Sequence, residues 1–290
     1  MHIGVDGNLL CGKKTGMGMV VSSILKNWIL DRTVKVTIFV PENLDTEFTK
    51  ILFEKGIKIV NCGLANYFRW EQIILPKMAK EYKIDVLWCP YNTAPLKISC
   101  PIVVTVHDVI YMSLKLNAVH SLYKKAGLLY RRWIVPQAIK KAEQVITISQ
   151  YARNDICKYF PMAKEKIRII YNSADITIQS LNEEEERTFF SKNGIRKPYI
   201  LGFGSLESRK NTLGLIKAYD MLDKKLKATY QLVLFGFRGF EESYEYKYIK
   251  ANKIKNIIIL AYISEQEKNS LYKNSTVFVF PSLSEGFGIP

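Results

Sequence analysis

Residues 198–220 read PYILGFGSLESRKNTLGLIKAYD. An apolar run at 199–203 runs into Gly202 and Gly204, two adjacent cations follow at Arg209 and Lys210, and a helical pattern opens at Thr212. Strand, glycine loop and helix in that order make up half of a βαβ unit. The glycines let backbone approach a ligand closely, and the new helix turns unbonded N–H groups towards an anion. The rhythm continues outward. Downstream, strands are expected at 230–235, 257–260 and 277–280, with helices at 212–222, 244–252 and 265–274. Upstream, strands are expected at 3–6, 35–40, 58–61, 86–89, 102–106, 144–148 and 167–171, with helices at 19–30, 70–81, 122–141 (interrupted at Pro136) and 149–159. Alternation of this kind predicts an α/β protein with parallel sheets and crossover helices.

The stretch 173–197 holds no strand pattern. Its run Glu183 to Glu186 suits the positive N-terminal end of a helix dipole. Two domains are therefore expected, 1–172 and 198–290, joined by a linker at 173–197. With three or four strands, the second is short for a complete doubly wound domain.

Composition narrows the field. Of 290 residues, 48% are apolar and 12% aromatic, enough for large cores, while 42 Lys+Arg against 27 Asp+Glu give a formal charge of +15. The five cysteines form no C-x-x-C pair, which argues against a disulfide framework and fits a reducing compartment. His2, His107 and His120 show no metal-ligand spacing, so no metal site is expected. No apolar run reaches the ~18 residues of a spanning helix, and the start lacks the pattern of a signal peptide. A cytoplasmic location is the expectation.

The excess charge is densest at 101–180, with 12 basic and 5 acidic residues. There Lys124, Lys125, Arg131 and Arg132 repeat at a spacing of seven, which puts them on one helical arc, with Leu122, Ala126, Leu129 and Trp133 on the opposite one. This reads as a surface helix covering a sheet, or as a basic face that meets anionic lipid headgroups. No nucleic-acid motif accompanies the charge, so no nucleic-acid partner is expected.

Four places could carry chemistry. Gly12 to Gly18 follows the first strand and precedes a helix; it is an anion loop or a plain turn, and it lacks the G-x-G-x-x-G spacing. His107 and Asp108 stand where a strand ends, the favoured edge for ligands in open parallel sheets, although a satisfied structural histidine reads equally. Gly204, Arg209 and Lys210 combine a glycine, two cations and a helix N-terminus, either a diphosphate site or a solvated charge pair. Glu285 lies in an acidic turn between glycines, where a carboxylate could accept hydrogen bonds from sugar hydroxyls.

Taken in order, IGVDGNLLCGKKTGMG, TVHD, RRWIVPQAIKKAEQVITISQYARNDI, IRIIYNSAD, ILGFGSLESRKN, LVLFGFRGF and LAYISEQEKNSLYKNSTVFVFPSLSEGFGIP resemble the retaining glycosyltransferases of family 4. The resemblance spans essentially the whole chain and looks nearest to bacterial polysaccharide mannosyl- and rhamnosyltransferases. It implies the GT-B fold of two facing Rossmann-like domains, the second incomplete. It also implies transfer of a hexose such as mannose from a nucleotide-diphosphate sugar to a glycan or lipid-linked acceptor, in cell-surface polysaccharide biosynthesis and without a metal or other cofactor. The N-terminal domain would take the acceptor and the C-terminal domain the nucleotide. By the same resemblance, Gly16 and Gly18 would line the cleft, His107 would sit by the donor sugar and assist transfer, Arg209 and Lys210 would hold the diphosphate, Glu285 would contact sugar hydroxyls, and Tyr262 and Ile263 would frame the base. The implied mechanism is front-face displacement with retention, the departing diphosphate itself taking the acceptor's proton.

The chain departs from the family pattern in three places. Met19 and Ser205 stand where relatives carry Arg. An E-x7-E signature beginning at Glu285 would close at position 293, past the last of the 290 residues. The alternative reading is therefore an inactive remnant or a non-catalytic binding subunit of the same family; an epimerase on this fold matches the motifs less well.

Overall fold

In the computed structural model the chain divides into two units, Met1–Ser173 and Ala174–Pro290. Residues 1–12, 16–114, 116, 121–173, 179–196, 198–237 and 239–289 are described.

Among those residues, the first unit builds a seven-stranded sheet from β1 (His2–Asp6), β2 (Lys35–Val40), β3 (Lys58–Asn61), β4 (Val86–Cys89), β5 (Ile102–Thr105), β6 (Gln144–Thr147) and β7 (Ile167–Ile169). The order is β3-β2-β1-β4-β5-β6-β7 and every pairing is parallel. Side chains alternate across a strand, and β2 shows the result. Val36, Ile38 and Val40 enter one core with Leu10, Val21 and Phe48, while Phe39 enters another with Trp70, Leu75 and Leu87. Both faces are thus covered, as a parallel sheet requires. The crossovers are α1 (Met17–Asn27), α2 (Thr46–Glu54), the segments α3 (Tyr67–Arg69) and α4 (Leu75–Glu81), then α5 (Leu122–Lys141) and α6 (Gln150–Tyr159). Helix α2 has no counterpart in the sequence expectations. Asp45 caps it by accepting the Phe48 N–H at 2.8 Å, and Phe48 and Leu52 bury one face.

Between α3 and α4 the chain makes a π-helical turn, Trp70–Ile74. The wide turn brings two consecutive residues, Trp70 and Glu71, fully inside.

Helix α5 corrects two expectations. It runs through Pro136 without interruption. Proline removes only one ladder bond, and burial of Ile134, Val135, Ala138 and Ile139 on either side of it holds the helix together. The orientation is also reversed. The sheet takes Leu128, Val135, Ala138 and Ile139, whereas Leu122, Leu129 and Trp133 are 82%, 52% and 51% exposed. On the inward side, Arg132 donates to the carbonyls of Tyr111, Met112 and Leu114, and Arg131 lies 5.8 Å from the Tyr111 ring centroid.

The second unit holds, among its described residues, a four-stranded parallel sheet of order β10-β9-β8-β11. Its elements are α7 (Glu183–Lys192), β8 (Tyr199–Phe203), α8 (Thr212–Asp220), α9 (Lys224–Thr229), β9 (Gln231–Phe235), α10 (Tyr244–Ala251), β10 (Ile257–Leu260), α11 (Glu265–Asn274) and β11 (Val277–Val279). Strand β9 again divides two cores. Val233 and Phe235 pack with Phe189 and Leu271; Leu232 and Leu234 pack with Leu215, Ile216 and Tyr219. The stretch expected as a linker is therefore more than a connector. Its helix α7, opened by a capping box of Asn182 and Glu185, places Phe189 in the core of this unit. No helix among the described residues is long and apolar enough to cross a membrane.

Candidate functional site

Ligands of open parallel sheets bind outside the carboxyl ends of the strands, where the strand order reverses. In the second unit the chain moves from β8 to β9 and β10 on one side, then returns at β11 on the other. The reversal lies between β8 and β11, and the loops leaving those two strands carry Gly204–Lys210 and Phe280–Glu285.

Local bonds shape the first loop. The Thr212 hydroxyl accepts the Ser205 N–H and donates to the Ser205 carbonyl, each at 3.1 Å, which closes the loop on itself. Asn211 then adopts a left-handed conformation, φ 55°, and its amide reaches the Pro281 carbonyl at 3.2 Å. The second loop docks on the first: the Arg209 carbonyl accepts from Leu283 N at 2.7 Å.

These contacts bring the three sequence-predicted charges together. Glu285 Oε1 lies 2.7 Å from Lys210 Nζ and 3.0 Å from an Arg209 guanidinium nitrogen, and it accepts a short bond from the Ser282 hydroxyl. Arg209 also pairs with Glu207 at 2.8 Å. The Lys210 ammonium sits 4.9 Å from the centroid of Phe280 and 5.7 Å from that of Phe203, a cation over aromatic rings. Partial burial works against a charge on Glu285, but hydrogen bonds from Lys210 and Ser282 and the charges of Lys210 and Arg209 outweigh it, holding its carboxyl below the usual carboxylate value.

Gly204 begins the first loop for a packing reason: a Cβ there would lie 2.3 Å from Phe237. Tyr262 and Ile263 follow β10 on the same sheet edge. They part company there, Tyr262 being exposed while Ile263 packs against the core.

In the first unit the order reverses between β1 and β4. Asp6 ends β1, 2% exposed, and its Oδ1 accepts from Trp70 Nε1 at 2.9 Å and Asn8 N at 3.0 Å. Burial pushes its pKa up to about 7, the two hydrogen bonds opposing and the nearby Glu71 charge adding to the rise. Glu71 accepts from Thr93, Tyr130 and Gln72, and burial raises its pKa against those bonds. Gly18 allows α1 to approach the preceding turn, since a Cβ there would meet the Leu9 carbonyl oxygen at 2.4 Å. Gly16, with φ 44°, opens the helix in open space. Residues 13–15 of that loop lie outside the described residues, as does His120.

His107 follows β5 and is buried. Its Nε2 is 2.9 Å from the Pro90 carbonyl, which can only accept, so Nε2 carries the proton. Burial holds the ring below its ordinary pKa, against the Pro90 bond and the Asp108 charge. The neutral ring therefore keeps Nδ1 as an acceptor. Sequence reasoning missed Ser282 and Asn211 in the second unit and Asp6, Glu71, Asn92 and Thr93 in the first. The one available signal was the turn-forming run Pro90–Tyr91–Asn92 after a strand.

Comparison with known proteins now bears on this arrangement. The family model described as Glycosyltransferase Family 4 matches residues 15–177, more than half of the chain, and the model described as Glycosyl transferases group 1 matches residues 184–290. The chain belongs to glycosyltransferase family 4. Curated relatives include O-antigen chain mannosyltransferase B of Escherichia coli, 26% identical over 170 residues, which are 58% of this chain and 45% of that protein. O-antigen chain mannosyltransferase RfbU of Salmonella typhimurium is 26% identical over 163 residues, 56% of this chain and 42% of that protein. Each match thus spans less than half the length of the curated relative.

Among solved structures, Anabaena HepE in complex with UDP-glucose matches with a TM-score of 0.64 and 18% identity, covering 99% of this chain and 76% of that one. WaaG, a glycosyltransferase involved in lipopolysaccharide biosynthesis, matches with a TM-score of 0.62 and 14% identity, covering 98% and 76%. At such identities the likeness speaks to the fold, which is that of the GT-B glycosyltransferases.

Proposed function

We propose that this family 4 chain transfers a hexose, mannose or a similar sugar, from a nucleoside diphosphate sugar to a glycan or lipid-linked acceptor with retention at the anomeric carbon, in cell-surface polysaccharide assembly. The observation that carries the reading is the Arg209, Lys210 and Glu285 cluster at the strand-order reversal of the second unit. The curated mannosyltransferases and the UDP-glucose bound to HepE support it. On this reading, Lys210 and Arg209 exchange Glu285 for the donor diphosphate, and the freed carboxylate accepts hydrogen bonds from the donor sugar. The acceptor hydroxyl attacks the anomeric carbon as the bond to the diphosphate oxygen breaks; the departing diphosphate takes the hydroxyl proton. Lys210 and Arg209 neutralise the charge growing on that oxygen, which is the largest barrier-lowering effect available to this arrangement. His107 serves as a neutral acceptor for a sugar hydroxyl through Nδ1. Tyr262, being exposed, offers a ring to the base, and the first unit takes the acceptor near Gly16 and Gly18. No cofactor enters this scheme.

The test is donor turnover. The chain is incubated with GDP-mannose, UDP-glucose and related donors, and release of nucleoside diphosphate is followed with and without glycan acceptors. Turnover that is lost in Lys210→Ala supports the transferase. Donor binding without turnover supports the non-catalytic binding subunit, and absence of both removes the reading.

We also infer a peripheral contact with an anionic membrane surface. The observation behind it is the outward stripe of α5, where Leu122, Leu129 and Trp133 stand exposed and Trp133 continues through Tyr130 to the exposed Phe68, with ring centroids 5.9 and 6.0 Å apart. The same helix carries six cations and no acid. Apolar side chains in the interface with lysines towards anionic headgroups are the pattern of helices that lie on a bilayer.

A further inference from the structure

The ladder of the first sheet stops one residue short of His107. Val106 N still donates to the Ile146 carbonyl at 2.8 Å, but the next N–H, that of His107, finds a side chain instead: Asn92 Oδ1, at 2.7 Å. Asn92 is buried and left-handed, φ 70°, and its backbone N–H, Oδ1 and Nδ2 are each engaged. Its own N–H donates to the Thr105 carbonyl at 2.9 Å, and its Nδ2 reaches the Asp108 carbonyl at 3.4 Å. Two residues earlier, the Pro90 carbonyl takes the proton of His107 Nε2.

The neighbour of Asn92 ties the same loop down on its other side. Thr93 donates to Glu71 while accepting from Tyr67 at 2.6 Å, so the hydroxyls run in one direction, Tyr67 to Thr93 to the carboxylate. Glu71 is in turn carried inward by the π-helical turn. The loop after β4 is thereby clasped between a buried acid network and His107, two residues past the end of β5.

We propose that Asn92 is a positioning residue for His107: by holding the backbone of residues 107 and 108 it keeps the ring on the Pro90 carbonyl, fixes the Nε2–H tautomer and leaves Nδ1 as the acceptor used on substrate. The proposal rests on the reading of His107 given above for the purpose of the last step, and on the geometry alone for the earlier ones. A left-handed turn with an engaged side chain is also a common structural device, so the tests separate positioning from mere support.

Asn92→Gly is the main variant, because glycine retains the left-handed backbone and loses only the two side-chain bonds. Ring ¹⁵N shifts of labelled histidine, with His107 assigned by its loss in His107→Ala, are expected to show a single Nε2–H tautomer in the parent protein and a mixture of tautomers in Asn92→Gly. An unchanged tautomer in a folded Asn92→Gly overturns the proposal, whatever the activity does.

Kinetics on a donor that is turned over add a second reading. Asn92→Gly should lower kcat by about tenfold with KM for the donor moved far less, and should add nothing further in a His107→Ala background, since residues acting through one another are not additive. Equal losses in both backgrounds overturn it. Asn92→Asp keeps the Oδ1 acceptor and guards against a glycine variant that does not fold. It should recover most of kcat with the histidine limb of the pH profile moved upward, as a nearby carboxylate favours imidazolium; failure of both effects in a folded protein overturns the proposal. Full activity in His107→Ala would remove the assumed role of His107, and the tautomer measurement would still decide whether Asn92 orients the ring.

Discussion

Lys210 Nζ lies 2.7 Å from Glu285 Oε1, so the cation read as a diphosphate ligand already holds a carboxylate read as a sugar ligand. The two come from loops 75 residues apart in sequence, brought together by the Leu283 N–H, which donates to the Arg209 carbonyl. Each charge keeps the other in place while no donor is present, and a donor has a partner to offer each of them.

Replacement of Lys210 by alanine should therefore remove a contact that strengthens as the diphosphate departs. Loss of one such contact costs on the order of a hundredfold to a thousandfold in kcat. Arg209→Ala should cost less, because Arg209 divides its charge between Glu207 and Glu285. Steady-state kinetics of both variants, with thermal melts to confirm folding, checks the order; equal losses would show that the Glu207 pair does not weaken Arg209.

Glu285→Gln separates the two roles of the carboxylate. Without its charge Lys210 is freer to receive a diphosphate, so UDP or GDP lacking the sugar should bind more tightly, by up to about fivefold, the ceiling for a partly exposed ion pair of about 1 kcal/mol. Sugar transfer should fall at the same time. Titration calorimetry with the nucleotide alone checks the first half, and weaker nucleotide binding would mean that Glu285 supports the cations rather than competing for them.

The strands and the charged cluster were legible in the sequence because their signals are local. β2, β3, β4 and β10 fall where the apolar runs place them, and Arg209, Lys210 and Glu285 lie in short motifs. What was not legible depends on distant partners. Nothing near Asn92 says that its amide will meet the backbone of His107, 15 residues on. The helical wheel of α5 offered two stripes, and the wheel alone does not say which one the sheet accepts. The sheet took the sector of Leu128, Val135 and Ile139, the side that also bears Arg131 and Arg132, because the loop carbonyls of residues 111–114 are there to receive Arg132. Asp6 stands in the glycine-rich opening motif, but its burial with Trp70 depends on the π-helical turn that carries Trp70 inward.

That burial has a consequence for stability. Asp6 has a raised pKa in the folded state, about 7 against 3.8, so between those values the folded protein holds a proton that the unfolded chain has released. Stability should fall as pH rises through that window, at roughly 1.4 kcal/mol per unit at most. Asp6→Asn mimics the protonated acid and still accepts from Trp70 and Asn8. The two proteins should melt alike near pH 4, with the variant the more stable at pH 8. Parallel melting curves across the range would show that Asp6 is ionised at a normal pKa.

The outward stripe of α5 gives the membrane contact a signature that separates it from plain charge attraction. Vesicles containing anionic phosphatidylglycerol should bind the chain at low salt. Lys140 is exposed and lies about five turns along the helix from Leu122, on the stripe itself. Lys140→Gln should weaken that binding by about 1 kcal/mol, an effect that salt screens away. Trp133→Gln should weaken it roughly tenfold or more at any salt concentration, since it removes apolar burial that salt does not screen. Met221→Gln is the control, an exposed apolar residue of the second unit, 86% accessible, and should leave binding unchanged. Sedimentation with vesicles of 0% and 30% anionic lipid measures all four proteins; equal binding by the parent and Trp133→Gln would remove the stripe from the contact.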